Sequence, residues 1–167
     1  MTEPTIHGTV RHIDGVPHLT ITRRLAGSAA EAWRDLTDSD RLERWIGRWE
    51  GDPSSGHVEF FMTAEAQDVE PERYEILECD PPRRFAGDTS SQAGAWHLWF
   101  ELFETDDATI LTFGQRLDPG VDIASMGPGW EYYLDRLVAM REDRDVDAVA
   151  WDDYYPAMSE QYAALAR

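Results

Sequence analysis

The side chains that most often do chemistry in proteins are few in this sequence and are not grouped. The five histidines do not pair at the spacing of metal ligands, and neither a His-Glu-x-x-His nor a Cys-x-x-Cys motif is present. No serine lies within a Gly-x-Ser-x-Gly turn, and the one cysteine, Cys79, stands beside Asp80, whose charge disfavours a thiolate. We therefore predict no catalytic residue, no metal site and no cofactor, and we expect Cys79 to be an inert packed thiol.

The aromatic side chains are the other source of a functional site. The chain has 7 Trp, 6 Tyr and 6 Phe, many of them on faces that the sequence pattern turns inward. Such rings either fill a core or line a ligand cavity, where tryptophan and tyrosine also offer one hydrogen-bonding group each. Both alternatives stay open at this point. The candidate ligand-binding residues on these inward faces are Trp45, Phe60, Tyr74, Trp96, Phe100, Phe113, Trp130, Tyr133 and, as the one aliphatic residue, Leu137.

Two polar side chains are candidates for orienting a ligand in such a cavity. Gln115 has the same parity as Phe113 in one strand pattern, and Arg23 has the same parity as Ile21 in another. A buried arginine is costly unless it has an acidic partner. We therefore expect Arg23 either to form an ion pair or to bind an anionic group of a ligand, and we expect Gln115 to point inward.

A hairpin and two short helices precede most of these residues. Asp14 and Gly15 separate two β-type runs and predict a type I′ turn. Ser28, with Glu31 three residues later, predicts a capping box at the start of the first helix. The second helix ends at Gly47. We expect the two helices to close the open corner of a sheet and to form part of a cavity wall.

The chain then alternates with a period of two, which is typical of half-buried strands. The strand over 95–104 has the strongest pattern, and two rings on its mixed face, Trp99 and Phe103, are predicted to be exposed. Two such rings offer a surface either for a homodimer or for packing of the acidic tail. We expect Glu78 to share a face with Tyr74. The predicted strands are residues 57–64, 73–80, 84–90, 95–104 and 109–117.

A helical pattern returns near the end of the chain. Residues 130–143 form a helix with one apolar face, while Glu131 and Arg136 are predicted to lie elsewhere on it. Residues 118–129 contain two Pro-Gly features and are predicted to be a connection, and a short helix over 157–166 follows. The apolar face consists of Trp130, Tyr133, Leu134, Leu137 and Met140.

The charge and length of the chain exclude several classes of protein. With 33 acidic and 15 basic residues the net charge is -18, which disfavours nucleic acids and anionic membrane surfaces. The excess of acidic residues is explained either by a well-solvated surface or by adaptation of the organism to salt. No apolar run approaches the roughly 18 residues of a membrane span, so membrane insertion is not expected. The first residues lack a secretory signal, which favours a cytoplasmic protein. The 167 residues suit a single domain, with a core over 10–142 and a tail over 143–167.

Four segments, taken in order, resemble the START-like (SRPBCC) superfamily, and within it the bacterial homologues of the activator of heat-shock-protein-ninety ATPase. The resemblance implies an α+β helix-grip fold, in which a curved antiparallel sheet wraps around a long C-terminal helix, with two short helices after the first strands. It also implies a hydrophobic cavity between helix and sheet. The segments are LTITRRLAGSAAEAWRDLTDSDRLERWIG, YEILECDPPRRF, WFELFETDDATILTF and GPGWEYYLDRL.

The superfamily includes lipid and hormone carriers, polyketide cyclases and chaperone regulators, so its fold does not define one function. The leading hypothesis is a domain that binds a small apolar or amphipathic molecule. An enzyme of the cyclase or hydrolase type is the second hypothesis, favoured if a carboxylate or histidine in the cavity has a shifted pKa. A protein-interaction module is the third. The chaperone activator also uses a separate N-terminal domain, for which this chain has no room.

Overall fold

The first two strands form the hairpin that their turn residues predict. Asp14 and Gly15 have φ angles of 51° and 82°, the left-handed values that a type I′ turn requires at both central positions. They connect β1 (Thr9–Ile13) with β2 (Val16–Ala26). The computed structural model describes residues 4–66, 68–91 and 94–167, without the side chain of Ser91.

Two short helices follow β2 directly, as expected. The first, α1 (Ala29–Thr37), begins after Ser28, whose hydroxyl oxygen accepts a hydrogen bond from the backbone N–H of Glu31 at 3.2 Å. The second, α2 (Ser39–Leu42), is a single turn. The chain then enters β3 (Arg48–Glu50), a short strand that the sequence analysis did not predict.

The other strands are β4 (His57–Phe61), β5 (Glu72–Asp80), β6 (Arg84–Ser91), β7 (Gly94–Glu104) and β8 (Ala108–Arg116). Together with β1 to β3 they form one antiparallel sheet of eight strands. Its order is β1-β2-β8-β7-β6-β5-β4-β3, so strands from β3 to β8 are sequential neighbours and β8 returns to pair with β2. A long helix, α3 (Ile123–Arg141), packs against the curved sheet, and α4 (Ser159–Leu165) packs against α3. This arrangement confirms the α+β class and the helix-grip fold.

The helix α3 begins earlier than the Pro-Gly features indicate. Asp122 caps it, because one carboxylate oxygen accepts the N–H of Ala124 at 3.1 Å, and Pro128 lies inside the helix. A Cβ on Gly127 would lie 2.4 Å from the ring of Tyr162 in α4. Close packing of α4 therefore outweighs the low helix propensity of glycine and proline. No helix in the described residues, α3 included, is long and apolar enough to cross a membrane.

A β-bulge in β5 overturns the prediction for Glu78. The register with β6 shifts between Ile76 and Glu78, so the alternation of faces changes there. Glu78 consequently lies outside the cavity and accepts a hydrogen bond from Arg84 at 2.9 Å. Cys79 takes its place on the inner side and borders the cavity. This residue is exposed, so the expectation of a packed thiol is wrong. Partial burial, followed by the charge of Asp80, raises the pKa of this thiol, as the sequence predicts.

The outer face of β7 holds a second difference from the sequence expectation. Phe103 is 71% exposed as predicted, whereas Trp99 is only 2% exposed. The Trp99 ring covers Gly114, its cross-strand partner in β8, and its Nε1 donates to Nδ1 of His18 at 3.1 Å. The guanidinium of Arg84 lies 5.2 Å from the ring centroid. The large ring is thus buried on the sheet's outer face because the residue opposite has no side chain.

Replacing Gly114 by alanine is expected to destabilise the protein. A Cβ at this position would lie 2.1 Å from an atom of the Trp99 ring, so the ring must move and give up its hydrogen bond to His18. Overpacking of this kind costs about 1–3 kcal/mol. Urea unfolding of the wild type and of Gly114→Ala measures the loss of stability. Unchanged stability would contradict the packing described for Trp99.

Candidate functional site

A cavity of about 970 Å³ lies between α3 and the inner face of the sheet. Strands β3 to β8 supply one side, α3 supplies the other, and residues of α1 and α2 close one end. Trp151, which is 42% exposed, borders the cavity from a 3-10 turn (Trp151–Asp153) beyond α3. The volume falls within the range of about 300–1,000 Å³ that is usual for small-molecule sites.

One row of aromatic rings, the sheet-side rings, lines the strands. Phe60 and Tyr74 have ring centroids 6.2 Å apart, and Tyr74 and Phe85 follow at 5.9 Å. Phe85 stacks on Phe100 at 5.6 Å, and Trp33 of α1 meets Phe100 edge-on at 5.4 Å. The row runs across β4, β5, β6 and β7, because residues of the same parity in paired strands stand side by side.

A second row, the helix-side rings, consists of rings of α3 together with Phe113 of β8 and Trp151. The ring centroids of Phe113 and Trp130 are 4.4 Å apart, and those of Trp130 and Tyr133 are 6.3 Å apart. Tyr132 is 5.1 Å from Tyr133 and also 5.1 Å from Trp151. These rings extend from the interior toward the border of the cavity at Trp151. The two rows together border an apolar, aromatic space.

Hydrogen bonds to the protein hold the indole rings in place. Trp45 donates from Nε1 to the carbonyl of Asp35 at 2.9 Å, and Trp130 donates to Oε1 of Gln115 at 2.7 Å. Trp49 donates to the carbonyl of Thr37 at 2.7 Å. Since these polar edges are satisfied by the protein, the rings present apolar surface to the cavity.

The cavity lining also includes polar side chains. Tyr133 donates its hydroxyl hydrogen to Oε1 of Glu65 at 3.3 Å. Burial, followed by the charge of Glu65, raises the pKa of the half-buried Glu72. Burial is also the main reason that the pKa of Tyr74 lies above its usual value, and nearby carboxylates including Glu72 add to it. The hydroxyls of Tyr74 and Tyr133 therefore stay protonated at neutral pH.

Eight of the predicted ligand-binding residues line this cavity and three do not. Gln115 is fully buried, with its Oε1 taken by Trp130 and its Nε2 without a hydrogen-bond partner among the described residues. Leu137 is also fully buried, in the core beside the cavity. Arg23 forms an ion pair, the first of its two expected alternatives. The eight lining residues are Trp45, Phe60, Tyr74, Trp96, Phe100, Phe113, Trp130 and Tyr133.

The partner of Arg23 is Glu131, which the sequence placed away from the core. Glu131 is fully buried and accepts a hydrogen bond from Nη2 of Arg23 at 2.6 Å. Its other oxygen accepts from the backbone N–H groups of His7 and Gly8 and from the hydroxyl of Tyr162. This carboxylate joins the N-terminal segment, β2, α3 and α4. It is a structural centre, because its hydrogen-bonding capacity is used within the protein.

Arg136 is likewise buried, contrary to the helical pattern. Its Nε donates to the carbonyl of Trp45 at 2.8 Å, and its Nη1 donates to the carbonyl of Val146 at 3.3 Å. The guanidinium therefore connects α3 with the turn after α2 and with the tail. These contacts position the Trp45 ring on the cavity wall. The sequence pattern missed this role because the acceptors are backbone carbonyls, which carry no sequence signature.

The sequence analysis also omitted several cavity residues from its candidate set. Glu72 has the same parity as Tyr74 in β5, so strand periodicity would have found it. Glu65 lies in a loop, where no periodicity applies. The lining residues left out of that set include Trp33, Trp49, Glu65, Glu72, Phe85, Tyr132 and Trp151.

A second, smaller depression of about 420 Å³ lies beside α1 and the end of α3. Arg34, Arg41 and Arg141 contribute to it, but Arg41 and Arg141 both bind the buried carboxylate of Asp35, at 2.9 and 2.7 Å. This depression is therefore the edge of an internal ion-pair network. Within the described ranges, no three His, Cys, Asp or Glu side chains are grouped closely enough to hold a metal ion.

The sequence profile of one protein family matches most of the chain. The family is described as "Activator of Hsp90 ATPase homolog 1-like protein", and the match covers residues 26–142. This range contains the helices α1 to α3 and the strands β3 to β8, which together form the cavity. No curated protein matches the chain in sequence.

Solved structures share the fold. CalU16 from Micromonospora echinospora has a TM-score of 0.71 at 24% identity, with 96% of each chain covered. DynU16, described as a putative protein in the dynemicin biosynthetic locus, has a TM-score of 0.62 at 18% identity, covering 77% of this chain and 49% of its own. The Aha1 dimer from Colwellia psychrerythraea has a TM-score of 0.60 at 15% identity, covering 75% of this chain and 96% of its own.

Proposed function

Since this chain belongs to the family of Activator of Hsp90 ATPase homolog 1-like proteins, we propose that it is a binding domain for a small apolar or amphipathic molecule. The ligand occupies the space between the sheet-side and helix-side rings. The observation that carries this proposal is a space of about 970 Å³ lined mainly by aromatic and aliphatic side chains, in which the indole N–H groups of Trp45 and Trp130 are already bonded to the protein. Burial of apolar ligand surface against such rings is the driving force for binding.

The size and lining of the cavity support ligand binding over a purely structural interior. Protein cores are close-packed and leave few voids larger than a water molecule. A space this large therefore costs stability unless a ligand or solvent fills it. DynU16, which shares the fold, is described as a putative protein in the dynemicin biosynthetic locus, and this agrees with a role of the fold in binding small molecules.

Native mass spectrometry of the purified protein, followed by denaturation and extraction, tests the proposal. We expect an apolar or amphipathic compound to leave with the protein, or a thermal shift of several degrees with apolar and aromatic compounds, since ligand binding stabilises the folded state. An apo mass together with no thermal shift across such compounds would contradict the proposal. That result would favour the protein-interaction module.

An enzyme of the cyclase or hydrolase type is the second candidate, and one observation favours it. Glu72 lines the cavity and its pKa is raised by burial and then by Glu65. A carboxyl group in a cavity with a raised pKa is a better candidate for proton transfer than an ordinary exposed carboxylate. Turnover of the bound compound by the wild type, and its loss in Glu72→Gln with retained binding, would support catalysis.

A homodimer is a separate proposal. Of the two rings that suggested it, Trp99 is buried and Phe103 is exposed, so the surface is smaller than the sequence predicts. The Aha1 protein of Colwellia psychrerythraea is described as a dimer. Sedimentation velocity of the wild type measures the oligomeric state directly.

We further propose that residues 1–167 act as one binding domain.

A further inference from the structure

The charged side chains that line the cavity are all acidic. Among the lining residues that the structure describes, Asp38, Glu65 and Glu72 carry carboxylates, and none is arginine, histidine or lysine. An anionic ligand would therefore enter a site with no countercharge and with repelling groups. The net charge of -18 acts in the same direction, since it attracts cations and repels anions over longer distances.

Two of these carboxylates act on each other and lack a cationic partner in the described part of the chain. Glu65 and Glu72 line the same cavity, and the charge of Glu65 adds to the burial that raises the pKa of Glu72. Nearby arginines are used elsewhere: Arg73 pairs with Glu75 at 3.3 Å and Arg48 pairs with Glu50 at 2.5 Å. Negative charge is thus concentrated beside an apolar space without being neutralised.

The groups next to these carboxylates also suit a cation. Glu65 accepts the hydroxyl hydrogen of Tyr133, whose ring lies 5.1 Å from that of Tyr132 and 6.3 Å from that of Trp130. Aromatic faces attract ammonium groups through their quadrupole, and more strongly when water is excluded. Arg136, a cation that acts on Tyr133, donates to the carbonyl of Trp45 and has Asp147 as its acidic partner at 3.6 Å, so it does not pair with Glu65 or Glu72.

We infer that the cavity selects ligands with an apolar body and a positively charged nitrogen, a protonated amine or a quaternary ammonium, and that it discriminates against carboxylates and sulfonates. The apolar body lies between the two rows of rings, and the nitrogen lies near Glu65, Glu72 and the ring of Tyr133. This inference rests on the proposed function, because it names the class of ligand for the same cavity.

Three probes with one naphthalene ring and different charge test the inference. They are (2-naphthylmethyl)trimethylammonium, 2-naphthylmethanol and 2-naphthalenesulfonate, titrated into the full chain by isothermal calorimetry at low ionic strength. We expect the ammonium to bind about ten-fold more tightly than the alcohol, and the sulfonate to bind most weakly. Added salt should reduce the preference for the ammonium, because it screens charges that are not fully buried.

A matched pair of variants separates the local carboxylate from the net charge. Glu72→Gln removes a cavity charge, whereas Glu75→Gln removes a charge from an exposed residue on the opposite face of the same strand. We expect Glu72→Gln to lower the ammonium-to-alcohol preference several-fold and Glu75→Gln to leave it unchanged. Thermal unfolding of both variants shows whether either substitution disturbs the fold.

The outcomes distinguish this inference from the function on which it rests. Equal binding of the ammonium and the alcohol, or tightest binding of the sulfonate, would overturn the charge preference while leaving a ligand-binding cavity. An equal response of the ammonium to Glu72→Gln and Glu75→Gln would also overturn it. Binding of none of the three probes would overturn the proposed function together with the inference.

Discussion

Replacement of Glu131 by alanine is expected to lower the free energy of unfolding by about 3–5 kcal/mol. The carboxylate is fully buried and bonds Arg23, Tyr162 and the backbone N–H groups of His7 and Gly8. Its loss leaves the buried Arg23 with only Asp135 as an acidic partner, at 3.0 Å. Denaturant unfolding, followed by tryptophan fluorescence, measures the change.

An exposed ion pair supplies the control for this variant. Arg24 and Asp107 lie 2.9 Å apart, with side chains 60% and 77% exposed. Asp107→Ala should therefore cost less than about 1 kcal/mol. If Glu131→Ala lost no more stability than Asp107→Ala, the central role assigned to Glu131 would be wrong.

The contribution of the Glu131 charge should also depend on pH. Burial by itself would raise the pKa of Glu131, but hydrogen bonds from Tyr162, Arg23 and the His7 backbone outweigh it and hold the pKa below its usual value. A carboxyl group of this kind stabilises the fold fully above its unfolded pKa of about 4.3, and the stabilisation is lost as the pH falls through the lower folded pKa. Glutamine resembles the protonated form, so the stability difference between wild type and Glu131→Gln should narrow in acid. A constant difference would contradict the assignment.

Replacement of Gly129 by tryptophan is expected to weaken ligand binding by more than about ten-fold, which corresponds to about 1.4 kcal/mol. Gly129 lines the cavity, and a Cβ there would meet no atom closer than the ring of Trp151, at 4.0 Å. The new side chain therefore enters the space that the ligand uses. Stability should be retained or increased, because a glycine inside a helix costs roughly 0.5–1 kcal/mol relative to alanine.

Gly129→Ala is the matched control for this variant. It adds one methyl group to the same position of α3, leaves most of the cavity open and should bind the naphthalene probes as the wild type does. Calorimetry of both variants gives the affinities, and thermal unfolding confirms that both are folded. Wild-type affinity in Gly129→Trp would show that the probes bind outside this cavity.

The architecture followed from short-range patterns in the sequence. The turn at Asp14 and Gly15, the cap at Ser28 and the alternation over 95–104 each depend on neighbouring residues, and the structure contains all three. The same periodicities placed eight aromatic residues on the cavity side. Local backbone preference and burial of apolar faces act within a few residues, which is why the sequence displays them.

Contacts between distant segments decided what the patterns missed. Glu131 is buried because its partners come from residue 7, more than a hundred positions away, and from Arg23 and Tyr162. Trp99 is buried because Gly114 leaves room across the strand, and α3 starts early because Gly127 accommodates Tyr162.

The sequence by itself determined the α+β class, the order of the helices and of the strands other than β3, and the inward position of eight aromatic residues, since these depend on periodicity and turn chemistry. Only the tertiary structure decided which charges are paired and which remain beside the cavity. Arg23 lies in an ion pair with Glu131, whereas Glu65 and Glu72 come together from a loop and a strand. The physical reason is that the energy of a charge depends on its burial and its partners, and both are set by the packing of segments far apart in the chain.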